Sequence, residues 1–159
     1  TLAEGLARRL GLPEDTVLGV RYAGLVHDIG KLYIPAEILS KPSKLTPAEY
    51  GLVKKHPEYG KDILSPLDFP WPLAEIILQH HERIDGTGYP GGLKKEEIRV
   101  EARILSVADA FDAMISERPY RKQRSPAQAL EEIRSLSGRA YDPEKMKVLK
   151  KHCRKNTKK

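Results

Sequence analysis

The sequence has little cysteine, few aromatic residues and no long apolar run. Its 159 residues include one cysteine, one tryptophan and two phenylalanines. The single cysteine, Cys153, excludes an internal disulfide and fits a reducing compartment, so we expect a cytoplasmic protein. No apolar run approaches the ~20 residues that a membrane-spanning helix needs, and no signal-peptide pattern opens the chain. The length and the 40% hydrophobic content are typical of one globular domain.

Positive charge is concentrated at one end of the chain. The formal net charge is +6, and residues 145–159 contain eight lysines and arginines but no acidic residue. We therefore predict a domain over residues 1–150, followed by a basic, solvated and frayed tail over residues 151–159. A basic terminus can also contact an anionic surface. The rest of the chain is close to neutral and has no interleaved basic and aromatic face, so nucleic acid is not expected as a partner.

Apolar residues recur at helical spacing, and no segment alternates as a strand would. We predict an all-α fold of about seven to nine helices with a Gly-rich loop. Gly11 is typical of a helix end, and Thr46 followed by Pro47 and Glu49 is typical of a helix start. The helix over 101–116 is expected to bury an apolar stripe, which comprises Ile104, Leu105, Ala108, Phe111 and Ile115. In the second helix the apolar positions lead directly to His27 and Asp28. These positions are Val17, Leu18, Tyr22, Leu25 and Val26.

Histidines and aspartates gather at the ends of apolar segments or beside turns. Neutral imidazole binds transition metals, and carboxylates can bridge two ions. The set is larger than one mononuclear site requires, and it contains no cysteine, which excludes a structural Cys-rich zinc site. The chain also has no G-x-S-x-G nucleophile turn and no phosphate-binding G-x-x-x-x-G-K loop. The candidates are His27, Asp28, His56, His80, His81 and Asp109.

A glycine-rich loop follows the paired histidines directly. It reads D-G-T-G-Y-P over residues 85–90, and its glycines let backbone approach a ligand closely. Two ions about 3.5–4 Å apart can clamp the attacking and leaving oxygens of a phosphodiester. Lys31 lies three residues after Asp28, where its ammonium can offset charge on phosphoryl oxygens. These residues favour a metal-dependent phosphohydrolase.

These motifs, in this order and spacing, resemble HD-GYP domains over about residues 1–150. The matching segments are H-D-I-G-K (27–31), H-P (56–57), H-H-E (80–82), D-G-T-G-Y-P (85–90), A-D-A-F-D-A (108–113) and R-P-Y-R (118–121). The resemblance implies a bacterial signalling enzyme that hydrolyses cyclic di-GMP to pGpG or GMP. It implies a centre of two or three divalent ions, usually iron or manganese. An upstream sensor or receiver domain is also expected, and a homodimer is compatible with the resemblance.

The resemblance assigns roles residue by residue. Asp28 would bridge the metal ions, and Lys31 would contact the scissile phosphate or its hydroxide. Glu82 would orient an imidazole, and Asp112, three residues after Asp109, would support a metal ligand or the structure. The metal ligands would be His27, Asp28, His56, His80, His81 and Asp109. The substrate wall would be Gly88, Tyr89 and Pro90, while Arg118 and Arg121 would hold phosphate or guanine through their planar fork of donors.

The family carries a further histidine, sometimes with a glutamate, on a helix before the point where this sequence begins. We therefore expect a chain that starts after this ligand position, which would weaken one metal site. Two alternatives stay open: a phosphohydrolase for another nucleotide, and a non-catalytic cyclic-dinucleotide sensor or partner-docking module. The G-Y-P and R-P-Y-R segments disfavour the first alternative. The six ligand candidates, all present, disfavour the second, whereas the absence of the upstream histidine helix favours it.

Overall fold

The computed structural model describes residues 1–116 and 123–156, and within these ranges the chain is helical. It forms nine α-helices and one 3-10 helix, with no strand longer than an isolated bridge. The predicted all-α fold of seven to nine helices is confirmed. In chain order, the elements are α1 (Leu2–Arg9), α2 (Glu14–Val26), the 3-10 helix (Ile29–Tyr33), α3 (Ala36–Leu39), α4 (Pro47–Val53), α5 (His56–Leu64), α6 (Leu73–Gln79), α7 (Val100–Ile115), α8 (Pro126–Ser135) and α9 (Pro143–Asn156).

Several helix ends are set by the local signals in the sequence. At the start of α4, the Thr46 hydroxyl accepts from the Glu49 N–H, and the Glu49 carboxylate accepts from the Thr46 N–H. Ser125 and Gln128 make the same reciprocal pair at the start of α8. Gly11 follows α1 with φ 71°, a conformation that glycine adopts without strain. The predicted cap at Thr46 and the predicted helix end at Gly11 are therefore confirmed.

Helix α7 is the centre of the core. Helices α1, α2, α6, α8 and α9 all pack against it. Its predicted stripe is buried at Ile104, Leu105, Ala108 and Phe111, while Ile115 is half-buried. In the described ranges, no helix has the length and apolar character to cross a membrane. Because α7 also carries Asp109, the burial of α7 holds one side of the candidate site against the core.

Helix α2 buries only part of its apolar residues. Tyr22 and Leu25 are 40% and 63% exposed, whereas Val17, Val20 and Ala23 are buried. The smaller residues face the core because neighbouring elements approach there closely. A Cβ on Gly19, for example, would lie 3.2 Å from the Trp71 ring. The size of the apolar side chains therefore does not decide which face of α2 is buried, since the close contacts require small side chains.

The predicted frayed tail is wrong for residues 151–156, because α9 continues through Asn156. His152 packs its ring against Gly5 and accepts a hydrogen bond at Nδ1 from the Arg9 Nε–H, at 3.1 Å. Lys145, one of the eight cations counted over residues 145–159, is only 5% exposed and lies 3.8 Å from the Asp142 carboxylate. The start of α9 is thus part of the folded body. The domain limit at residue 150 stays a prediction.

Candidate metal centre

A close backbone contact brings the 3-10 helix to the start of α5. Gly30 packs so tightly that a Cβ there would overlap the His56 carbonyl oxygen and lie 2.5 Å from the Gly60 nitrogen. Only a residue without a side chain permits this approach. The contact places Asp28, just before the 3-10 helix, beside the His56 ring. Two segments that are far apart in the sequence therefore come into contact because Gly30 has no side chain.

Three histidine rings are oriented by the backbone of their own helices. His27, His56 and His80 each lie with Nδ1 against the carbonyl oxygen three residues earlier, at 2.9, 2.8 and 2.5 Å. A carbonyl only accepts, so each Nδ1 carries the proton and each Nε2 of a neutral ring carries the lone pair. This arrangement fixes the tautomer in the way typical of metal-binding histidines.

The lone-pair nitrogens converge. The Nε2 atoms of His56 and His80 lie 3.4 Å apart. One ligand nitrogen from each of His56, His80 and His81 falls in a group whose members lie within 4.8 Å of one another. Two acceptor nitrogens that face each other repel, and a cation between them removes the repulsion. The donor set, nitrogen and oxygen without sulfur, fits a transition-metal ion.

Both predicted carboxylate ligands border this group. Asp28 places Oδ1 3.5 Å from His56 Nε2 and Oδ2 3.7 Å from His27 Nε2. Asp109 places Oδ1 3.5 Å from His27 Nε2. The His27 and His80 rings meet edge-on, with centroids 5.3 Å apart. The six predicted ligands thus form one cluster, in which the two oxygens of Asp28 face two different imidazoles, as a bridging carboxylate requires.

Burial keeps most of these imidazoles neutral. It lowers the pKa of His80 to about 4, and it also lowers the pKa of His56 and of His81. For His27, burial acts in the same direction, but the hydrogen bond to Asp109 and the charges of both aspartates outweigh it and raise the pKa. For Asp109, burial would raise the pKa, and the His27 hydrogen bond and nearby histidines lower it. Neutral imidazole and ionised carboxylate are the forms that bind metal.

Lys31 and an apolar groove lie at the edge of the cluster. The Lys31 ammonium donates to Asp28 Oδ2 at 2.7 Å, so it lies at the same carboxylate that faces the histidines. The neighbouring groove has a volume of about 410 Å³. Its apolar walls suit a flat, uncharged group such as a nucleobase. The lining residues are Leu25, Val26, Asp28, Ile29, Lys31, Leu32 and Leu39.

Glu82 does not orient an imidazole, and that prediction is wrong. Its carboxylate is 3% exposed and accepts from the backbone N–H groups of Gly91 and Leu93, at 2.6 and 2.9 Å. The Glu82 carboxylate therefore links the start of the loop over 83–91 to its end. At Gly88, a Cβ would overlap the backbone of Glu82 and Arg83, so the loop folds directly over its own start. The histidine rings are oriented by backbone carbonyls instead.

The folded loop places Tyr89 against the cluster of predicted ligands. The Tyr89 N–H donates to the His81 carbonyl oxygen at 3.3 Å, and the two rings stack with centroids 4.8 Å apart. The Tyr89–Pro90 peptide bond is cis. Burial, the largest cause, raises the pKa of the Tyr89 phenol, which keeps it protonated at neutral pH. The predicted wall of Gly88, Tyr89 and Pro90 thus lies beside His81.

Three further predicted residues remain. Arg118 and Arg121 lie outside the described residues. Asp112 lies on α7 with part of its side chain exposed, and partial burial, followed by the charge of Asp109, raises its pKa. The sequence did not indicate Tyr50 and Lys54, and the fold places the Lys54 ammonium over the rings of both Tyr50 and Tyr89. The one signal available was that Lys54 lies two residues before His56.

Replacing Glu82 with glutamine should loosen the loop without removing the metal ligands. Glutamine keeps one acceptor oxygen but turns an amide toward the second N–H, so we expect a loss of about 2 kcal/mol in the free energy of unfolding. Urea denaturation measures this loss. Hydrogen exchange should also be faster at the Gly91 and Leu93 amides. Glu58→Gln, an exposed change on α5, is the control and should alter neither quantity. Loss of bound metal with unchanged amide exchange would restore the imidazole-orienting role.

The fold and the His-Asp cluster together define a helical metal-binding domain. The family model of the HD domain matches residues 1–145, so the chain belongs to the HD domain family. It is 47% identical over 145 residues to a cyclic di-GMP phosphodiesterase of Thermotoga maritima, with 90% of this chain and 39% of the relative covered. The chain thus spans about two fifths of that relative.

Two further relatives cover most of this chain. It is 42% identical over 146 residues to the 3'3'-cGAMP-specific phosphodiesterase 3 of Vibrio cholerae, with 92% of this chain and 32% of the relative covered. Among solved structures, it is similar to Bd1817, an HDG"Y"P protein of Bdellovibrio bacteriovorus. That similarity has a TM-score of 0.78 at 25% identity and covers 96% of this chain and 49% of the other.

Proposed function

We propose that this chain is the catalytic domain of a metal-dependent phosphodiesterase that hydrolyses cyclic di-GMP to pGpG or GMP. The observation that carries the proposal is the converging set of ligand atoms, with the Nε2 atoms of His56 and His80 3.4 Å apart and Asp28 facing both His27 and His56. The relatives of this family that are named as cyclic-dinucleotide phosphodiesterases support the substrate class.

Different residues of the chain would have different roles in the proposed hydrolysis. Divalent ions, when bound, supply Lewis acidity and make water a better nucleophile at neutral pH. His27, His56, His80, His81 and Asp109 would hold them, and Asp28 would lie between two of them. The Lys31 ammonium, held at 2.7 Å by Asp28, would stabilise negative charge on the phosphoryl oxygens. The groove beside Lys31 would take one base, and the Tyr89 wall would exclude water on the His81 side.

Arg118 and Arg121 complete the proposed substrate contacts on the strength of the R-P-Y-R motif. A guanidinium suits both phosphate and the face of guanine. An upstream sensor or receiver domain is part of the proposal, and so is a cytoplasmic location, which the single cysteine fits. The homodimer stays a prediction, and the molar mass of the chain in solution would check it.

Protein purified without added metal should contain at least two transition-metal ions per chain, iron or manganese. Removing them with a chelator should lower the melting temperature by about 5–10 °C. Ligand present at ~100 times its dissociation constant stabilises by about 2.7 kcal/mol, and each kcal/mol shifts a domain of this size by about 2–4 °C. Elemental analysis and thermal denaturation measure the two quantities. His152→Gln, outside the cluster, should keep both the ions and the shift. Metal-free protein with an unchanged melting temperature would contradict the prediction.

The direct test is hydrolysis of cyclic di-GMP by the metal-loaded chain, with products separated by chromatography. Intact substrate after long incubation with metal-loaded protein would reject the proposal. A second candidate is hydrolysis of another cyclic dinucleotide, favoured by the 42% identity to a 3'3'-cGAMP-specific enzyme. A panel of cyclic di-GMP, 3'3'-cGAMP and cyclic di-AMP decides between the two. Tight binding of cyclic di-GMP without turnover would select the sensor alternative.

A further inference from the structure

Lys54, which is not one of the predicted metal ligands, lies over two aromatic rings beside them. The Lys54 ammonium is 5.4 Å from the centre of the Tyr89 ring and 5.1 Å from the centre of the Tyr50 ring. Tyr89 in turn stacks on His81 at 4.8 Å. Two successive contacts therefore connect this cation to a predicted metal ligand.

The charge of Lys54 is not neutralised by the described part of the chain. Lys31, Lys41 and Lys61 each pair with a carboxylate. No described carboxylate lies within ion-pair distance of Lys54, and its ammonium lies over the two ring faces. Aromatic faces hold an ammonium in place, worth about 0.5–1 kcal/mol at an exposed site, without cancelling its charge. The half-buried side chain thus presents a positioned, unneutralised cation next to the cluster.

Lys31 and Lys54 lie at different parts of the candidate site. The Lys31 ammonium is at Asp28, where the proposed scissile phosphate would bind. The Lys54 ammonium instead contacts Tyr89, which stacks on His81. Its other ring contact, Tyr50, also lines a depression of about 520 Å³. The other residues of that depression are Ser43, Lys44, Leu45, Thr46 and Pro47.

A cyclic dinucleotide contains two phosphodiester groups, and only one of them can be cut at a time. We propose that Lys54, positioned by Tyr50 and Tyr89, binds the phosphate that is not being cut and so selects dinucleotides over simple phosphodiesters. This inference rests on the proposed function. It assigns to Lys54 a role in substrate affinity, distinct from the role of Lys31 at the reacting phosphate.

A bland explanation for Lys54 is its place at the end of α4, where a cation favours the helix dipole. Lys55, the next residue, shares that place but is exposed and contacts neither ring. Lys55→Gln is therefore the matched control for Lys54→Gln. Lys54→Arg tests whether a second cation in the same position restores the effect.

The experiment compares cyclic di-GMP with bis(p-nitrophenyl) phosphate, which has a single phosphodiester, on the metal-loaded chain. For Lys54→Gln we expect KM for cyclic di-GMP to rise about tenfold, the effect of one lost charge-assisted hydrogen bond, with a much smaller change in kcat. The ratio of kcat/KM between the two substrates should fall by the same factor. Lys54→Arg should recover most of the ratio, and Lys55→Gln should leave it unchanged. An unchanged ratio in Lys54→Gln, or an equal fall in Lys55→Gln, overturns the inference.

Binding gives a readout that does not depend on turnover. Calorimetry of cyclic di-GMP with chelator-treated protein should show a dissociation constant about ten times higher for Lys54→Gln than for the parent chain. If the metal-loaded parent binds but does not cleave, the phosphodiesterase proposal fails while the binding ratio still decides the role of Lys54. Equal affinities, or no binding by either protein, overturn the role of Lys54.

Discussion

Replacing Asp28 with asparagine should reduce hydrolysis of cyclic di-GMP by at least about a thousandfold while the helical fold persists. The two Asp28 oxygens lie 3.5 Å from His56 Nε2 and 3.7 Å from His27 Nε2, so one carboxylate faces two imidazoles. An amide has nearly the same shape but lacks the negative charge and has a single acceptor oxygen, so it cannot bridge two cations. We therefore expect the metal content to fall by at least one ion per chain. Kinetics and elemental analysis of the same preparation measure both effects.

The stability of metal-free protein separates this effect from misfolding. Asp28 is partly exposed and its ion pair with Lys31 lies near the surface, so Asp28→Asn should change the free energy of unfolding by no more than about 1 kcal/mol without metal. Asp62→Asn, the same substitution at an exposed position of α5, is the control and should keep both metal and activity. Full activity in Asp28→Asn would remove Asp28 from the centre. A molten metal-free variant would show that Asp28 acts on the fold instead.

The identity of the candidate ligands could be predicted from the sequence because their chemistry is local. Histidine and aspartate are among the residues whose side chains bind transition metals. His56 and His80 come from different helices, yet both lie where an apolar segment ends, and this position was visible in the sequence. The distances between them were not visible, because they depend on how the helices pack.

The face that a helix buries was harder to predict where small residues decide it. On α7, large apolar residues recur regularly and the predicted stripe is confirmed. On α2, Tyr22 and Leu25 are exposed, and the core face is made by Val17, Val20 and Ala23. Hydrophobic size favours burial only if the partner element leaves room for it. Close approach of the Trp71 ring at Gly19 removes that room, and no property of α2 alone indicates it.

Polar contacts between residues far apart in the sequence could not be predicted either, because they also depend on how the elements pack. Glu82 was expected to orient an imidazole, because it follows the paired histidines. Its true partners, the N–H groups of Gly91 and Leu93, become neighbours only when the loop folds back. The carbonyl groups that orient the histidine rings belong to the backbone. Every residue has such a group, so residue type does not indicate which of them take part. Lys54 meets Tyr89 only after α4 and the loop are both in place.

Replacing Gly30 with alanine should damage the fold and the metal centre together. The new Cβ would overlap the His56 carbonyl oxygen and lie 2.5 Å from the Gly60 nitrogen, and backbone atoms cannot move aside as a side chain can. We expect a loss of about 3 kcal/mol or more in the free energy of unfolding, as for severe overpacking. That corresponds to a melting temperature lower by about 6–12 °C in a domain of this size. As the 3-10 helix and α5 separate, Asp28 moves away from His56, so bound metal should be lost as well.

A second glycine provides the matched control for Gly30→Ala. Gly51 lies within α4, and a Cβ there would meet nothing within 4 Å. Gly51→Ala should therefore stabilise the chain by about 0.5–1 kcal/mol, because alanine loses less backbone freedom in a helix. Thermal denaturation with and without chelator measures both variants. If Gly30→Ala melts at the parent temperature and keeps its metal, then contact between the 3-10 helix and α5 does not set the geometry of the centre. If it melts lower but keeps both ions, the contact stabilises the fold without positioning Asp28.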